Sequence, residues 1–575
     1  MTPIECKSRL SLRLRGASRF APHLFLACTA THTLTRGAAA ADAQTTSAAA
    51  IERAIAVPST DMLAAHVQFL ADDLLAGRAP GSRGASVAAR YIRSQFQAAG
   101  LEPGAPNGSF FQSLRLIGVT PRPAIVVGIA QRTMALRYLD DFVAWPDGPA
   151  RGVVSDGEIV FVGYGIDAPE WQWNDYSGES VTGKIVMMLV NDPGLNDSTI
   201  FRGREMTRYG HWSYKIDEAA RRGAAGVILI HTTRHATYPW SVVRNSWAGE
   251  RLQLEGRPSR TLRFAAWITE DAARRVIAAA GIDYGLLMRR TSRRDFRPVL
   301  IGAHAVVDIT SVVRTLESVN VIGRLPAAGE DTDSEESVLL TAHYDHHGLG
   351  PPSPAGQDSI YNGAVDNASG VAALLATAAA LTRAGHPARR SIYFVATTGH
   401  EAGLLGAQTL VESPPVPLER TAAVINIDRG NVWGTTRDIV ALGAELSSLG
   451  NIASQAAQAE GLSLTPDPAP ELGDYFGSDH FPFALAGVPA LQIATGRNFV
   501  GQPADWGDRT AENYLTTKYH QPGDEFHAGL SYEGLLQQVA VMTRIAWAVA
   551  QTGEFPVWNE NSVFHEAGAR LRAAR

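Results

Sequence analysis

The chain has 575 residues, of which 45% are hydrophobic and 19% are charged, and its formal net charge is −6. This composition is typical of a globular protein with ample apolar core. The acidic balance argues against a nucleic-acid partner, and we expect no apolar run of the roughly 18 residues that a membrane-spanning helix needs. The sequence therefore predicts neither a nucleic-acid partner nor a membrane span, and it does not indicate an oligomeric state.

Residues 1–45 differ from the rest of the chain and have the features of a secretory signal. Basic residues precede an apolar centre at 21–30, which is followed by the small-residue run GAAAADAQ. This order predicts cleavage near Ala43 and a periplasmic or secreted bacterial protein, and a disordered or wrongly assigned start is the alternative. Both cysteines, Cys6 and Cys28, lie in this leader. The mature protein would therefore have no thiolate for metal binding or catalysis.

The next elements follow from hydrophobic periodicity. Residues 61–100 predict two amphipathic helices separated by the turn GRAPGSRG. Residues 121–282 change to short strands around a single predicted helix, YKIDEAARRG, and we interpret them as an inserted β-rich domain that supports the fold or shapes substrate access. The predicted parts are a leader (1–45), an N-terminal helical part (51–120), the inserted domain (121–282), a catalytic domain (283–555) and a C-terminal tail (556–575).

The catalytic part alternates predicted strands and helices, which indicates an α/β fold. From about residue 318 to 491 apolar runs of strand length are separated by helical segments, and EGLLQQVAVMTRIAWAVAQT predicts a closing helix. Such alternation favours a mostly parallel mixed sheet with helices on both faces.

Side chains that bind metals follow the predicted strands of this part. Ligands of open α/β sheets gather at the carboxyl ends of the strands, so we expect these side chains to meet at one edge. His520, in KYHQPGDEF, supplies a further imidazole. Imidazole and carboxylate groups are zinc ligands, and two imidazoles with three carboxylates suffice for two zinc ions bridged by a carboxylate and a water. The side chains that follow the strands or open the next helix are His343, Asp345, Asp366, His400, Glu401 and Asp428.

The motifs HYDHHG, GAVDNASG, GHEAGLLGA, INIDRGN, GSDHFPFALAGVPAL and YHQPGDEF occur in this order. With them the chain resembles the co-catalytic zinc aminopeptidase family, in its bacterial secreted form with an inserted protease-associated domain. The resemblance covers nearly everything after Ile51 and implies a zinc-peptidase fold of the phosphorylase/hydrolase-like type. It also implies a cis peptide after Asp366 and two Zn²⁺ ions per chain. The implied ligands are His343 and Asp428 at the first zinc, Glu401 and His520 at the second, and Asp366 between them.

The sequence departs from this family at the general base. The family has two adjacent glutamates where this chain has His400 and Glu401, so the second-zinc ligand is kept and the base is changed. We predict that His400 transfers the proton from a metal-bridging hydroxide to the leaving amine, because neutral imidazole suits that role. Two neighbouring cations would lower the pKa of this imidazole. We further expect Asp345 to fix the tautomer of His343 and Tyr519 to donate to the oxyanion.

The predicted function is therefore that of an aminopeptidase that removes N-terminal residues from peptides. One alternative is a catalytically weak or inactive metal-containing protein that binds peptides. Another is a glutaminyl cyclase-like enzyme, which could work with a single zinc. Retention of all five ligands argues against both alternatives.

Three further features of the sequence allow a structural interpretation as well as a functional one. Ser478, Asp479 and His480 resemble a loop beside the family's active site, and no Gly-x-Ser-x-Gly elbow accompanies the serine. His346 and His347 are expected on a surface loop, and contact with a metal is the less favoured alternative. Arg429 is expected to form a surface salt bridge, or to contact a substrate carboxylate.

Overall fold

A 16-stranded mixed sheet organises residues 51–575 of the computed structural model. The structure describes residues 49–328, 333–350, 358–384 and 388–575, so the predicted leader lies outside the described residues. The strands of the half that carries the predicted site are, in spatial order, Ser463–Thr465, Asp438–Leu442, Ala490–Thr495, Thr421–Ile427, Asp333–His343, Arg390–Thr397 and Val299–Leu325.

This half of the sheet is parallel at its centre, with one antiparallel pairing on either side. Asp333–His343 runs parallel to both of its neighbours, Thr421–Ile427 and Arg390–Thr397. Val299–Leu325 is antiparallel to Arg390–Thr397. Asp438–Leu442 is antiparallel to Ala490–Thr495 and parallel to the edge strand Ser463–Thr465. The carboxyl ends of the central strands therefore share one edge, and the predicted α/β class with a mostly parallel mixed sheet is confirmed.

Helices cover both faces of these strands, as the alternation predicts. Gly370–Arg383 and Glu533–Gln551 pack on each other and against one face of the sheet. On the opposite face, alternate strand residues such as Leu339 and Val424 join a core with Leu405–Glu412 and Phe481–Leu485. The other helices of this half are Leu449–Ala459, Trp506–Thr517 and His565–Ala573.

The helical stretch Ala364–Arg383 is long and apolar enough to cross a membrane by length and composition alone. The expectation that no apolar run reaches that length is thus wrong for this stretch. However, 94% of its most apolar window is buried inside the fold. The hydrophobicity of this helix is explained by its place in the core.

The two amphipathic helices predicted in residues 61–100 are present as Thr60–Leu70 and Arg83–Ala99. Ser82 begins the second helix, because its hydroxyl accepts a hydrogen bond from the amide of Ala85 at 3.0 Å. Gly100 ends it with a φ of +92°, which a residue without a side chain adopts at little cost. The predicted turn between the helices contains the 3₁₀ helix Asp73–Arg78.

The inserted segment, residues 121–282, contributes the other half of the sheet. The strands predicted there are present, but the prediction of a single helix is wrong. Beside the predicted helix Trp212–Arg221 the segment contains Trp240–Trp247 and Glu270–Ala279, which Thr269 caps. The strands of this half are Gly152–Phe161, Ile185–Leu189, Gly226–His231, Phe264–Thr269 and Phe142–Pro146, in spatial order.

Two long strands join the halves. Phe111–Ile129 pairs antiparallel with Val299–Leu325, from Phe111 opposite Val321 to Ile129 opposite Ala303. Shorter elements complete the fold: the strands Glu102–Pro103, Arg132–Ala135 and Arg251–Leu254, and the helix Tyr284–Arg290. The division of the chain into five parts remains a prediction from the sequence.

Candidate metal centre

The structure brings all five predicted zinc ligands together at the carboxyl edge of the central strands. His343 is the last residue of its strand, and Asp428 directly follows the neighbouring strand. Asp366 lies in the turn before the helix Gly370–Arg383. Glu401 comes from the loop after Arg390–Thr397, and His520 comes from the loop after Trp506–Thr517.

Asp366 lies between two groups of ligand atoms. Its Oδ1 is 3.2 Å from Nε2 of His343, which is also 3.4 Å from Oδ1 of Asp428. Its Oδ2 is 3.4 Å from Nε2 of His520, which is also 3.3 Å from Oε2 of Glu401. We name His343, Asp366 and Asp428 the first metal position, and Glu401, His520 and Asp366 the second.

The spacing of these atoms fits a metal such as zinc. Tetrahedral zinc with bonds of about 2.0 to 2.1 Å places neighbouring ligand atoms about 3.3 Å apart. Nε2 of His343 and Oδ1 of Asp428 are buried and have no hydrogen-bond partner among the described residues. Buried polar atoms rarely lack a partner, so the two atoms suit a ligand between them.

The carboxylates are in the ionised form that binds a metal. Burial raises the pKa of Asp428, but the adjacent imidazole of His343 outweighs burial and lowers it to about 2. Burial likewise raises the pKa of Asp366, and the imidazoles of His343 and His520 more than reverse that effect. The pKa of Glu401 is also held well below its ordinary value, because the charges of nearby histidines, His520 first among them, outweigh burial.

Asp524 holds the turn that carries Asp366. Its carboxylate accepts hydrogen bonds from the amides of Val365 at 2.9 Å and Asp366 at 3.0 Å. The side-chain amide of Asn367 donates to the carbonyl of Ile427, and the peptide between Asp366 and Asn367 is cis, as predicted. Asp524 belongs to the motif YHQPGDEF, but its spacing in the sequence did not indicate this role.

His343 is oriented by Asp345, but through a different atom from the one predicted. Nδ1 of His343 donates to the backbone carbonyl of Asp345 at 3.1 Å, whereas the nearest carboxylate oxygen is 3.9 Å away. The prediction that the carboxylate of Asp345 fixes the tautomer of His343 is therefore wrong, because the backbone carbonyl accepts the hydrogen bond. That carboxylate instead accepts from the backbone amide of His400 at 3.3 Å and so ties two strand ends together.

His400 lies against the first metal position. Its ring stacks on that of His343, with centroids 3.7 Å apart and planes 9° apart. Its Nδ1 donates to Oδ2 of Asp479 at 3.1 Å, so Nε2 faces the cluster, 3.8 Å from Oδ2 of Asp428. Burial and His343 lower the pKa of His400, but Asp479 and Asp428 outweigh them and raise it to about 9 in the metal-free structure.

The predicted loop Ser478, Asp479 and His480 lies beside the cluster. Ser478 donates to Oδ2 of Asp428 at 2.8 Å, and Asp479 also accepts from the hydroxyl of Thr397 at 2.8 Å. His480 is fully buried with its ring 4.6 Å from that of Tyr475. Ser478 and Asp479 thus fix the two groups nearest the first metal position.

The expectation that His346 and His347 lie on the surface is wrong. His346 is buried and its Nδ1 donates to Oε1 of Glu401 at 2.8 Å. His347 has a side chain that is 10% exposed, and its Nε2 is 3.5 Å from Oε2 of Glu401. The loop folds inward because Gly348 turns with a φ of +74° and Gly348–Leu349 pairs with Ile360–Tyr361.

A cavity of about 750 Å³ opens beside Glu401 and His520. Its opposite wall belongs to the inserted segment and is rich in tryptophan. The helix Trp240–Trp247 also supports the cluster, because Nδ1 of His520 donates to the hydroxyl of Ser246 at 2.7 Å. The same helix donates from Asn245 to the carbonyl of His520 at 2.9 Å. The sequence contained no signal for this support, which joins residues about 275 positions apart.

Tyr519 borders the same cavity, and Arg429 lies beside Tyr519. The ring of Tyr519 lines the cavity and stacks on that of His520 at 3.8 Å. Burial raises the pKa of Tyr519 well above its ordinary value, so its hydroxyl keeps its proton. Arg429 forms the expected salt bridge, with Asp474 at 2.6 Å, and its guanidinium lies 5.3 Å from the Tyr519 ring centroid.

The sheet, its helices and this cluster define an α/β protein with a candidate dinuclear metal centre. Residues 320–546 match the model of Peptidase family M28. This part of the chain is therefore similar to a peptidase family, in agreement with the family that the motifs predict.

Similar proteins agree with this assignment. The chain is 28% identical over 280 residues to a probable zinc metalloprotease of Pyrenophora tritici-repentis, an alignment that covers 44% of this chain and 59% of that protein. It is 35% identical over 122 residues to a probable zinc metalloprotease of Pyrenophora teres f. teres, covering 21% of this chain and 23% of that protein. The chain thus spans about three fifths or less of the length of these curated relatives.

Among solved structures, the fold is similar to that of an aminopeptidase from Aneurinibacillus sp. strain AM-1. The TM-score is 0.51 at 18% identity, and the match covers 88% of this chain and 97% of that one. At this identity the similarity concerns the fold alone.

Proposed function

We propose that this chain is a zinc-dependent exopeptidase, an aminopeptidase with two zinc ions per chain. The observation that carries the proposal is the position of Asp366, whose two oxygens face different imidazoles, each of which has a further carboxylate beside it. Such an arrangement suits two metal ions that share one carboxylate. When bound, the zinc ions would polarise the substrate carbonyl and activate a water.

The residues of the chain supply the remaining steps. His343, Asp428, Asp366, Glu401 and His520 would hold the metals. Nε2 of His400 faces the cluster while Nδ1 is held by Asp479, and cations at the two metal positions would lower its pKa from about 9. His400 would then be placed to accept a proton and to return it to the leaving amine.

Two further groups would assist the reaction. The protonated hydroxyl of Tyr519, on the cavity wall, would donate to the oxyanion. The carbonyl of Asp345 keeps His343 in the tautomer that leaves Nε2 free.

The cavity supports a peptide substrate with an apolar terminal side chain. Trp145, Trp212 and Trp247 line it opposite the metal positions. Trp212 and Trp247 meet edge to face with centroids 5.4 Å apart, which makes a firm apolar wall. An apolar side chain against these rings would place the peptide bond that follows it near His400 and Glu401.

A second candidate function is a metal-containing protein that binds peptides with little or no turnover. It is favoured by the grouping of His400 with His343 and Asp428, whose ligand atoms all lie within 4.8 Å of one another. If His400 were a metal ligand, it would not be free to transfer a proton.

A substrate screen of the purified protein distinguishes these functions. Aminoacyl-nitroanilides with apolar, basic and acidic residues would be tested with and without a chelator, together with peptides that have N-terminal glutamine. Release of amino acid that the chelator abolishes supports the aminopeptidase. Peptide binding without turnover selects the second candidate, and formation of pyroglutamate selects a glutaminyl cyclase-like activity.

We also propose that the protein is exported, from the basic and apolar pattern of residues 1–45. N-terminal sequencing of protein recovered from the periplasm and medium of a bacterial host tests this. A mature start near Ala43 is expected, and an intact N-terminus in the cytoplasm would contradict the proposal.

A further inference from the structure

The second metal position has an imidazole beside it that the implied ligand set does not use. Nε2 of His347 is 3.5 Å from Oε2 of Glu401, the same oxygen that lies 3.3 Å from Nε2 of His520. The three ligand atoms lie within 4.8 Å of one another. One carboxylate oxygen therefore faces two imidazole nitrogens, as in a shared metal site.

The nitrogen of His347 is buried without a partner. The side chain is 10% exposed, and Nε2 has no hydrogen-bond partner among the described residues. A separation of 3.5 Å from Glu401 is too long for a good hydrogen bond. A buried polar atom left unpaired costs about 1 to 3 kcal/mol, whereas a bound metal would satisfy it. Nε2 of His343 at the first position likewise has no hydrogen-bond partner among the described residues.

The surroundings hold His347 in this orientation. Its ring meets that of His520 at 74° with centroids 4.3 Å apart and that of Tyr361 at 79° with centroids 6.1 Å apart. The neighbouring His346 donates to the other oxygen of Glu401. Glu401 is thus fixed from one side by His346, and its free oxygen points to His347 and His520.

We propose that His347 is an additional ligand of the second metal position. This position then has donors from His347, Glu401, His520 and Asp366, which is the full set of four for zinc. The first position has three, from His343, Asp428 and Asp366. Closed four-ligand sites hold zinc structurally, whereas sites with an open position bind water and substrate. The second position therefore fills first and binds more tightly, and exchange with solvent and substrate occurs at the first.

The inference rests on the proposed metal centre, and cobalt binding tests it without turnover. In full-length His347→Cys, a thiolate would replace the imidazole as the donor from this loop, with a shorter reach. Titration of the metal-free variant with Co²⁺ is expected to produce a thiolate-to-cobalt charge-transfer band with the first equivalent of metal. The wild-type chain is the baseline. If the band is missing at saturating Co²⁺ and the leucine variant described next keeps the wild-type zinc affinities, His347 is not a ligand.

A second variant covers the case in which the cysteine protein does not fold. His347→Leu removes the nitrogen and keeps an apolar side chain in the buried site. We expect the tighter of the two zinc affinities, measured by competition with a chromogenic chelator, to fall at least tenfold. His527→Leu, which removes an exposed imidazole, is the matched control and should leave both affinities unchanged. Equal zinc affinities in His347→Leu and the wild type would overturn the inference.

These results are separable from the proposed function. A charge-transfer band in His347→Cys together with a wild-type chain that cleaves no peptide supports the ligand and refutes the aminopeptidase. Peptide cleavage by the wild-type chain, with no band in His347→Cys and no loss of affinity in His347→Leu, does the reverse.

Discussion

The buried polar groups of the two halves of the sheet have different surroundings. In the inserted segment, residues 121–282, the buried Lys215 donates to the carbonyls of Tyr164 at 2.6 Å and Asn191 at 2.8 Å. Burial lowers the pKa of Lys215 to about 7, although the carboxylates of Asp175 and Asp192 act in the opposite direction. Some buried atoms of this half, such as Oγ of Ser155 and the hydroxyl of Tyr176, lack a hydrogen-bond partner among the described residues, but they belong to no group of metal-binding side chains there.

In the half that matches the M28 family, several buried polar atoms instead converge without partners. Nε2 of His343, Nε2 of His347 and Oδ1 of Asp428 have no hydrogen-bond partner among the described residues, and each lies beside another ligand atom of the cluster. This contrast indicates that buried charge alone does not identify a functional site. Buried ligand groups that lack hydrogen-bond partners and lie close together do identify one, because a bound ligand would satisfy them.

The sharpest test of this contrast is Asp366→Asn. The amide keeps the shape of the side chain but removes the charge that serves both metal positions. We expect loss of at least one zinc per chain and a fall in peptide cleavage of more than a thousandfold, measured by elemental analysis and steady-state kinetics. Asp217→Asn, which changes an exposed carboxylate on the cavity wall of the inserted segment, is the control and should retain both metals. Two tightly bound zincs in Asp366→Asn would contradict the bridging role.

The next largest effect is expected at His400. His400→Ala should reduce kcat at least a hundredfold while the zinc content stays at two, because proton transfer contributes about 10² to 10⁴ in rate. His400→Glu should retain or raise activity, since a carboxylate can transfer the same proton. Wild-type turnover in the alanine variant would show that His400 is not the base. Loss of one zinc in that variant would instead favour His400 as a metal ligand.

The limits of the sequence analysis are visible at these residues. Periodicity located the strand ends at which candidate histidines and carboxylates stand. The resemblance to a known family implied which five are ligands and that His400 occupies the position of the general base. The inward fold of His346 and His347 could not, because it depends on the turn at Gly348 and on pairing with Ile360–Tyr361. Whether Asp345 meets His343 through its carbonyl or its carboxylate is a matter of backbone direction, which spacing does not specify.

The contact of Ser246 with His520 was equally beyond the sequence, because it joins the inserted segment to a loop 274 residues away. Ser246→Ala removes the acceptor that orients the imidazole. We expect about a tenfold loss of zinc affinity at the second position, since partners behind a metal ligand typically contribute 10- to 100-fold. Ser259→Ala, an exposed serine on the same cavity wall, is the control. If both variants bind zinc like the wild type, the inserted segment does not support the metal centre.

The smallest effect concerns the pH dependence of stability in the inserted segment. His211 caps the helix Trp212–Arg221 by accepting from the amide of Ser213, and burial together with the charge of Lys215 lowers its pKa to about 4. Between pH 6.5 and pH 4 the unfolded chain therefore binds a proton that the folded chain does not, so the free energy of unfolding falls as the pH falls.

His211→Asn keeps an acceptor at the cap and removes the titrating group. Allowing for the partial exposure of the ring, the variant should lose roughly 1 kcal/mol less stability than the wild type between pH 7 and pH 5. Urea unfolding of the metal-free proteins at both pH values measures this, and removing the metal keeps proton competition at the zinc ligands out of the comparison. An equal loss of stability in the two proteins would mean that His211 is as accessible to protons in the fold as in the unfolded chain. His211 would then be more accessible to solvent than its burial in the structure indicates.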